Sequence, residues 1–218
     1  AKYGLYYANY IDGSNEAGSG GIKMQGNCIM ACNIIRDTNS ENVDGGTAIG
    51  FQEGSDSYNP ADNAEASFNS LYNTYRCVDL GKTGAGTSPD HPTDPNMYNN
   101  AILSAADGRN TFWNVEYNGT FTTAGNVVSA TSGITQSGIT EATPGFTDDS
   151  GFPYATAAGN LDGNASTTGY NSVITVDFFG TAIPGSSPDI GAIQASSQTY
   201  VDGNTLSSII AQSGVGAT

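Results

Sequence analysis

Positive charge is scarce in this chain of 218 residues, in which six Lys and Arg stand against 21 Asp and Glu. The formal net charge at pH 7 is −15. Proteins that bind nucleic acid carry basic patches, and anionic membrane surfaces also attract basic residues, so this balance argues against both kinds of partner. It suits divalent cations, a salty extracellular setting or simple solubility.

Long apolar runs are also missing. None approaches the roughly 18 residues that a membrane-spanning helix needs, so membrane insertion is not predicted. Hydrophobic residues make up 37% of the chain and charged residues 12%, while glycine is abundant, with 29 copies. That composition favours many short strands joined by tight turns and argues against a helical bundle.

Few residues could bind a metal through nitrogen or sulfur. The three cysteines, Cys28, Cys32 and Cys77, are an odd number with no histidine nearby, which is a poor zinc signature. We expect them to pack as small hydrophobic side chains. The chain also contains no nucleophile elbow and no nucleotide-binding fingerprint.

What the chain does contain is a repeat. A short motif centred on asparagine returns every few dozen residues, and a strand-like motif, first seen at 21–25, is echoed at 48–52 and loosely at 77–81. Self-similarity at this period, with strand-type alternation inside each repeat, predicts a β-solenoid. The repeated asparagines are Asn9, Asn33, Asn69 and Asn100.

Successive coils of a β-solenoid lie about 4.8 Å apart, so equivalent residues should stack. The asparagines should form a ladder at a bend, because asparagine tolerates left-handed backbone and its amide can bond neighbouring main chain. Two interior apolar rows should run beside the ladder. The first comprises Ile11, Ile35, Leu71 and Ile102, and the second comprises Ile22, Ile49 and Val78, flanked by Met24, Phe51 and Leu80.

The repeat also predicts the organisation of the chain. Residues 1–142 should form the coils, with loop insertions at 55–65 and 82–96 that leave the stack on a common side. Residues 143–195 should form an irregular segment that closes the β-helix, and residues 196–218 a tail of small residues.

The closing segment carries a resemblance to a known superfamily. The motifs Pro-Gly-Phe-Thr-Asp (144–148), Ala-Ala-Gly-Asn (157–160), Asp-Phe-Phe-Gly (177–180) and Pro-Asp-Ile-Gly-Ala (188–192) occur in this order. They resemble the closing region of right-handed parallel β-helix proteins of the pectate-lyase-like superfamily, found in many secreted and surface-anchored bacterial proteins. The resemblance implies an all-β, right-handed parallel β-helix. The catalytic motifs of pectate and pectin lyases are absent, so their catalytic residues do not transfer.

Chemistry on a uronate polymer needs a base, a cation that neutralises the carboxylate and a groove for the sugar. The aligned repeats place Lys23 and Asp79 at equivalent outward positions, with Arg76 and Glu53 nearby, so these four residues form the candidate catalytic patch. Glu53 and Asp79 could alternatively serve as the carboxylate pair of a glycoside hydrolase. A solvated charged face is the plainer interpretation.

Two further sets of candidates lie in the coils and insertions. Aromatic rings suit sugar stacking, so a substrate-binding role is predicted for Tyr58, Tyr72, Tyr75 and His91. Clustered carboxylates predict a candidate Ca²⁺ site, although the chain lacks the Ca²⁺-loop motif. Its predicted ligands are Asp56, Asp62, Asp90 and Asp94.

Two functions of different classes follow. One is an extracellular β-helix that recognises or processes carbohydrate, as a polysaccharide lyase or glycoside hydrolase. The other is a non-catalytic structural or adhesive module, such as part of a bacterial surface protein or of a phage tail spike or fibre. We also expect the N-terminal edge to be covered, by further coils or by a neighbouring subunit in a trimer or filament, because bare strand edges recruit other chains.

Overall fold

The computed structural model describes residues 4–13, 20–38, 47–51, 61–80, 94–104, 112–113, 121–129, 137–146 and 159–194. Within these ranges the chain forms short strands and no helix. In chain order the strands are β1 (Gly4–Tyr7), β2 (Tyr10–Asp12), β3 (Ile22–Met24), β4 (Cys28–Ala31), β5 (Ile34–Arg36), β6 (Thr47–Phe51), β7 (Glu65–Ser67), β8 (Ser70–Thr74), β9 (Arg76–Asp79), β10 (Asn96–Tyr98), β11 (Ala101–Ser104), β12 (Phe112–Trp113), β13 (Thr122–Ala124), β14 (Asn126–Val128) and β15 (Ile139–Glu141).

The strands stack into three parallel sheets. Sheet A has the order β1-β4-β7-β10-β13, sheet B the order β15-β14-β11-β8-β5-β2, and sheet C the order β12-β9-β6-β3. In the first four coils each turn of the chain adds one strand to each sheet in succession, so coil one begins at β1, coil two at β4, coil three at β7 and coil four at β10. Coil five adds β13 to sheet A and β14 to sheet B, and β15 follows in sheet B. The β-solenoid predicted from the repeat is therefore confirmed.

The predicted interior rows are confirmed by the strand register. Ile11 pairs with Ile35, Ile35 with Leu71, and Leu71 with Ile102. The row continues one coil further than predicted, to Val128. The second row is also in register, from Ile22 through Ile49 to Val78. Most of these side chains are buried in one hydrophobic cluster between the sheets, where burying each large aliphatic side chain contributes roughly 1.5–3 kcal/mol.

The asparagine ladder lies at the corner between sheets A and B. The backbone N–H and the side-chain amide of Asn33 both donate to Asn69 Oδ1, at 3.0 and 2.9 Å. The same pair of bonds links Asn9 to Asn33, Asn69 to Asn100, and Asn100 to Asn126. The predicted stack is confirmed, and Asn126 is an additional rung that the repeat did not identify.

The sequence suggested that the corner bends at the asparagine itself. In the structure the corner bends at the residue before each asparagine. These preceding residues all have left-handed backbone, with φ of 52° at Ala8, 55° at Cys32, 53° at Phe68, 57° at Asn99 and 67° at Gly125. A left-handed conformation costs an ordinary residue roughly 1–2 kcal/mol. The ladder offsets that cost, because each asparagine satisfies backbone groups that the bend would leave unpaired.

The described part of the C-terminal segment, residues 159–194, is irregular, and we call it the strap. It packs along the outside of the coils, over the corner between sheets A and B. Ser166 bonds Asn99 of coil four, and Ala192 N–H donates to Ser70 Oγ of coil three at 2.9 Å. The Tyr7 hydroxyl of coil one donates to the Val176 carbonyl. The strap therefore ties successive coils together along the side of the solenoid.

Strap and coils share a second hydrophobic cluster outside the solenoid core. Phe68, which is fully buried, packs its ring edge-on against Tyr170 with 4.8 Å between ring centroids. Ile34 points away from the core and is covered by Phe178 and Ile193 of the strap. The strap therefore covers the apolar outer faces of the strands beside Ile34 and Phe68.

The predicted insertions differ from the structure at their ends. Residues 55–60 and 82–93 lie outside the described residues, as does the tail at 196–218. Ala61 and Ala64, which the sequence assigned to the first loop, are fully buried in the core. The sequence placed them in a loop because Asp and Asn separate them. Alanine is nevertheless small enough to pack in the solenoid wall just before β7.

Among the described residues, no helix is long and apolar enough to span a membrane.

Candidate functional site

The outer face of sheet C carries the centre of the predicted site. Lys23 pairs with Gly50 in the next coil, and Gly50 pairs with Asp79 in the coil after that. Lys23 is exposed and Asp79 is half-buried, whereas their neighbours along each strand are buried. Strand alternation therefore turns both side chains outward, as the sequence predicted. We call Lys23, Gly50 and Asp79 the outer column.

Glycine in the middle of the outer column leaves a gap between the two charged residues. A Cβ at Gly50 would lie 3.2 Å from Lys23 Cγ, so the aliphatic part of Lys23 leans over the second coil. Two coil spacings separate Lys23 and Asp79 by about 10 Å along the sheet. Lys23 forms no ion pair with a described residue. An ammonium and a carboxylate therefore border a flat strip about as wide as one or two sugar units.

The other two predicted catalytic residues are placed differently. Arg76 begins β9 in register with Thr47, and only 5% of it is exposed. Its guanidinium is therefore part of the solenoid wall, although it lies on the same strand as Asp79. Glu53 lies outside the described residues. The structure thus brings Lys23 and Asp79 to one surface and leaves the predicted roles of all four as predictions.

The predicted sugar-stacking residues lie away from the outer column where they are described. Tyr72 belongs to β8 in sheet B and is half-buried, with the Arg36 guanidinium carbon 5.5 Å from its ring centroid. Phe146 packs edge-on against the same ring at 6.1 Å. Tyr75 is 7% exposed at the corner that leads into β9. Tyr58 and His91 lie outside the described residues.

The predicted metal ligands are only partly described. Asp62 lies half-buried in the turn before β7, and Asp94 lies exposed before β10. The two turns belong to neighbouring coils, because Asn96 N–H donates to the Ala64 carbonyl. Within the described ranges, no three His, Cys, Asp or Glu residues gather as a metal site. Two carboxylates do not supply the six or more oxygens that Ca²⁺ takes, so the Ca²⁺ site stays a prediction that also needs Asp56 and Asp90, which are not described.

A polar cluster on sheet B was missed by the sequence reasoning. Arg36 Nε donates to Asp37 Oδ2 at 2.6 Å, and the side-chain amide of Asn73 donates to Asp37 Oδ1 at 2.6 Å. Burial opposes the charge of Arg36, but the hydrogen bond and charge of Asp37 outweigh it and raise the Arg36 pKa. The signal was present, since Asp37 and Asn73 have the same separation in sequence as the ladder residues Asn33 and Asn69.

A buried carboxylate on sheet A was also missed as a functional group. Glu65 Oε1 accepts hydrogen bonds from Ser67 Oγ at 2.6 Å and from the strap, through Asn171 N–H, at 2.9 Å. Loss of hydration on burial raises the pKa of Glu65 above its ordinary value, and these two bonds only partly oppose the effect. Glu65 therefore anchors the strap to coil three.

Comparison with known proteins supports the architecture. No protein-family model matches the chain, and no curated protein matches it. A solved structure of a mutant of AlyGC, an alginate lyase of the PL6 family, is similar with a TM-score of 0.58 and 20% identity, covering 71% of this chain and 22% of the lyase chain. The chain thus spans less than a quarter of that lyase. At this identity the likeness concerns the fold, and the predicted right-handed parallel β-helix is confirmed.

Proposed function

We propose that this chain is an extracellular β-helical module that recognises or processes an acidic polysaccharide on the outer face of sheet C. The observation that carries the proposal is the outer column, in which exposed Lys23 and outward-facing Asp79 stand on one flat face across Gly50. The structural likeness to an alginate lyase supports the choice of a carbohydrate ligand.

The outer column contains the two charges that β-elimination on a uronate unit requires. The Lys23 ammonium pairs with the sugar carboxylate and stabilises the negative charge that develops when C5 loses its proton. Asp79 accepts that proton as general base. The electrons of the broken C5–H bond form the C4–C5 double bond, the C4–O bond to the neighbouring sugar breaks, and water protonates the departing oxygen.

A non-catalytic structural or adhesive module, such as part of a bacterial surface protein or of a phage tail spike or fibre, is the second candidate. The observation that favours it is the burial of Arg76, which leaves Lys23 as the exposed cation among the described residues of sheet C. One exposed cation in a chain of net charge −15 favours weak binding of an acidic polysaccharide over its cleavage.

Incubation with alginate and with polygalacturonate tests both candidates, with ultraviolet absorbance of the unsaturated product reporting elimination and calorimetry reporting binding. We expect Lys23→Ala and Asp79→Asn to abolish turnover with little change in stability. Gln25→Ala, an exposed substitution next to β3, is the control. Binding without an absorbance change would select the adhesive module. The proposal would be refuted if the unmodified chain neither bound nor cleaved either polysaccharide.

A further inference from the structure

A cleft of ≈ 380 Å³ lies between the solenoid and the strap, away from the outer column. Coil five and β15 form one side of it, through Val127 and Thr140, and the strap forms the other, through Asn160, Asn164 and Ile190. Ligand pockets in proteins typically measure about 300–1,000 Å³, so the cleft is large enough for one small molecule.

Two nearly buried aliphatic residues give the floor of the cleft a small apolar patch. Val127 and Ile190 are each 3% exposed, and both belong to the hydrophobic cluster that joins strap and coils. The strap holds this floor in place, because Ile190 N–H donates to the Leu161 carbonyl at 2.9 Å and Gly163 N–H donates to Asp189 Oδ1 at 2.7 Å. A ligand with C–H groups on one face could pack here without disturbing the coil stack.

The rim of the cleft carries polar side chains, and hydrogen bonds fix the orientation of its two amides. The side-chain amide nitrogen of Asn160 donates to the Thr143 carbonyl at 3.2 Å, and that of Asn164 donates to the Asp162 carbonyl at 2.8 Å. These bonds fix both amides, and neither amide oxygen accepts a hydrogen bond from a described residue. The exposed Thr140 hydroxyl adds a group that can both donate and accept.

We propose that this cleft binds an uncharged sugar unit. Its amide and hydroxyl oxygens suit sugar hydroxyls, and its aliphatic floor suits the C–H face of a pyranose ring. None of the described residues that line it is ionisable, so these residues offer neither a cation for a uronate carboxylate nor carboxylates for a metal ion. The choice of a sugar over another neutral polar ligand rests on the proposed function, whereas the site itself does not.

The test is a titration of the full chain, labelled with ¹⁵N, with glucose, mannose and galactose and, separately, with glucuronate and galacturonate. We expect at least one neutral sugar to shift amide signals of Val127, Thr140 and Asn164 saturably, and the uronates to bind more weakly. Asn160→Ala and Thr140→Val should each weaken binding about 3- to 10-fold, the value of one hydrogen bond. Thr167→Val, the same change on an exposed strap residue outside the lining, should have no effect.

The outcomes separate this inference from the proposed function. Neutral-sugar shifts in an unmodified chain that neither binds nor cleaves polyuronate would support the cleft and refute the function of the outer column. Neutral-sugar shifts that survive Lys23→Ala would support a cleft that is independent of the outer column. The absence of shifts with every neutral sugar, shifts that Asn160→Ala and Thr140→Val leave unchanged, or preferential binding of the uronates would each overturn the assignment of the cleft.

Discussion

The backbone N–H of Asn126 donates to the Gly138 carbonyl at 3.0 Å. In each earlier rung of the ladder, by contrast, the backbone N–H donates to the side chain of the next asparagine. The side-chain amide of Asn126 turns back to the Met97 carbonyl of coil four at 2.9 Å. The ladder thus has a direction. It begins at exposed Asn9 and ends on a main-chain carbonyl, so rungs at different heights should contribute differently to stability.

Replacing an interior rung should cost far more than replacing the first. Asn69 is fully buried, and Asn69→Ala removes its bonds to Met30 and Asn100 together with the oxygen that accepts from Asn33. Because at least two buried groups lose partners, we expect a loss of about 2–4 kcal/mol in the free energy of unfolding. Chemical denaturation measures it.

The matched control is Asn9→Ala. Asn9 is exposed, and among the described residues its side chain bonds only Asn33, through its amide nitrogen at 2.8 Å. The Asn33 oxygen keeps the backbone N–H of Asn9 as a donor, so Asn9→Ala removes one hydrogen bond and the expected loss is about 0.5–1 kcal/mol. Equal losses for Asn9→Ala and Asn69→Ala would show that the ladder does not stabilise the corner.

Two glycines with similar backbone should respond differently to alanine. Gly26 and Gly125 have φ of 61° and 67°, but a Cβ at Gly26 meets nothing within 4 Å. At Gly125 it would lie 2.2 Å from Asn99 Oδ1 and 2.9 Å from Ser166 N, and so would separate strap and coil. Gly26→Ala should cost about 1 kcal/mol from backbone strain alone.

Gly125→Ala should cost about 2 kcal/mol more than Gly26→Ala, because the overlap forces apart the bonds that join Asn99 to Ser166. Thermal or chemical unfolding of the two variants, measured together, gives the difference. If both variants lose the same stability, the clamp between strap and coil four does not form.

Stability should fall as the pH rises from mildly acidic values. Burial raises the pKa of Glu65 above its ordinary 4.5 and that of Asp177 above its ordinary 3.8, although hydrogen bonds partly oppose both shifts. The folded protein therefore holds these protons more tightly than the unfolded chain. Their stabilising effect is present below the ordinary pKa values and is lost as the pH rises through the raised ones.

Denaturation midpoints over this pH range measure the effect. Glu65→Gln keeps a side-chain oxygen for Ser67 and Asn171 but removes the titration, so it should flatten the decline and stabilise the protein at neutral pH. Asp12→Asn, which removes one exposed negative charge, controls for net charge. A decline unchanged in Glu65→Gln would assign the pH dependence to other groups.

Loosening the strap should expose one cysteine and not another. Burial raises the pKa of Cys32 and of Cys77 to about 12, so neither thiol should react with alkylating reagents in the folded protein. Cys32 lies under the strap, 3.3 Å from the Val176 carbonyl, whereas Cys77 lies in the solenoid wall beside Thr74. Tyr170→Ala removes the ring that packs against Phe68 and should admit the reagent to Cys32 first.

Mass spectrometry of alkylated peptides follows the two thiols separately. In Tyr170→Ala, labelling of Cys32 should become faster. Labelling of Cys77 should still occur only at the rate at which the whole protein unfolds. Simultaneous labelling of both would mean that strap and coils open as one cooperative unit.

The rows of the core could be predicted because a solenoid repeats one environment. Ile35 and Leu71 occupy the same place in successive coils, so local phase in the sequence fixes which side chains stack. Asn126 was missed although the run Asn126-Val127-Val128 has the pattern of Asn33-Ile34-Ile35, and it completes the ladder. The outward positions of Lys23 and Asp79 followed from the same phase.

The amino-acid sequence by itself thus determined the coil, its core rows and its asparagine corner, since these depend on contacts between residues at a regular spacing. Only the tertiary structure decided where the strap lies, because its bonds to Asn99 and Ser70 join residues far apart in the chain that share no repeat. The same holds for Arg76 and Glu65. Neighbouring coils bury Arg76 and the strap covers Glu65, and such burial depends on what packs against a residue rather than on its place in a repeat.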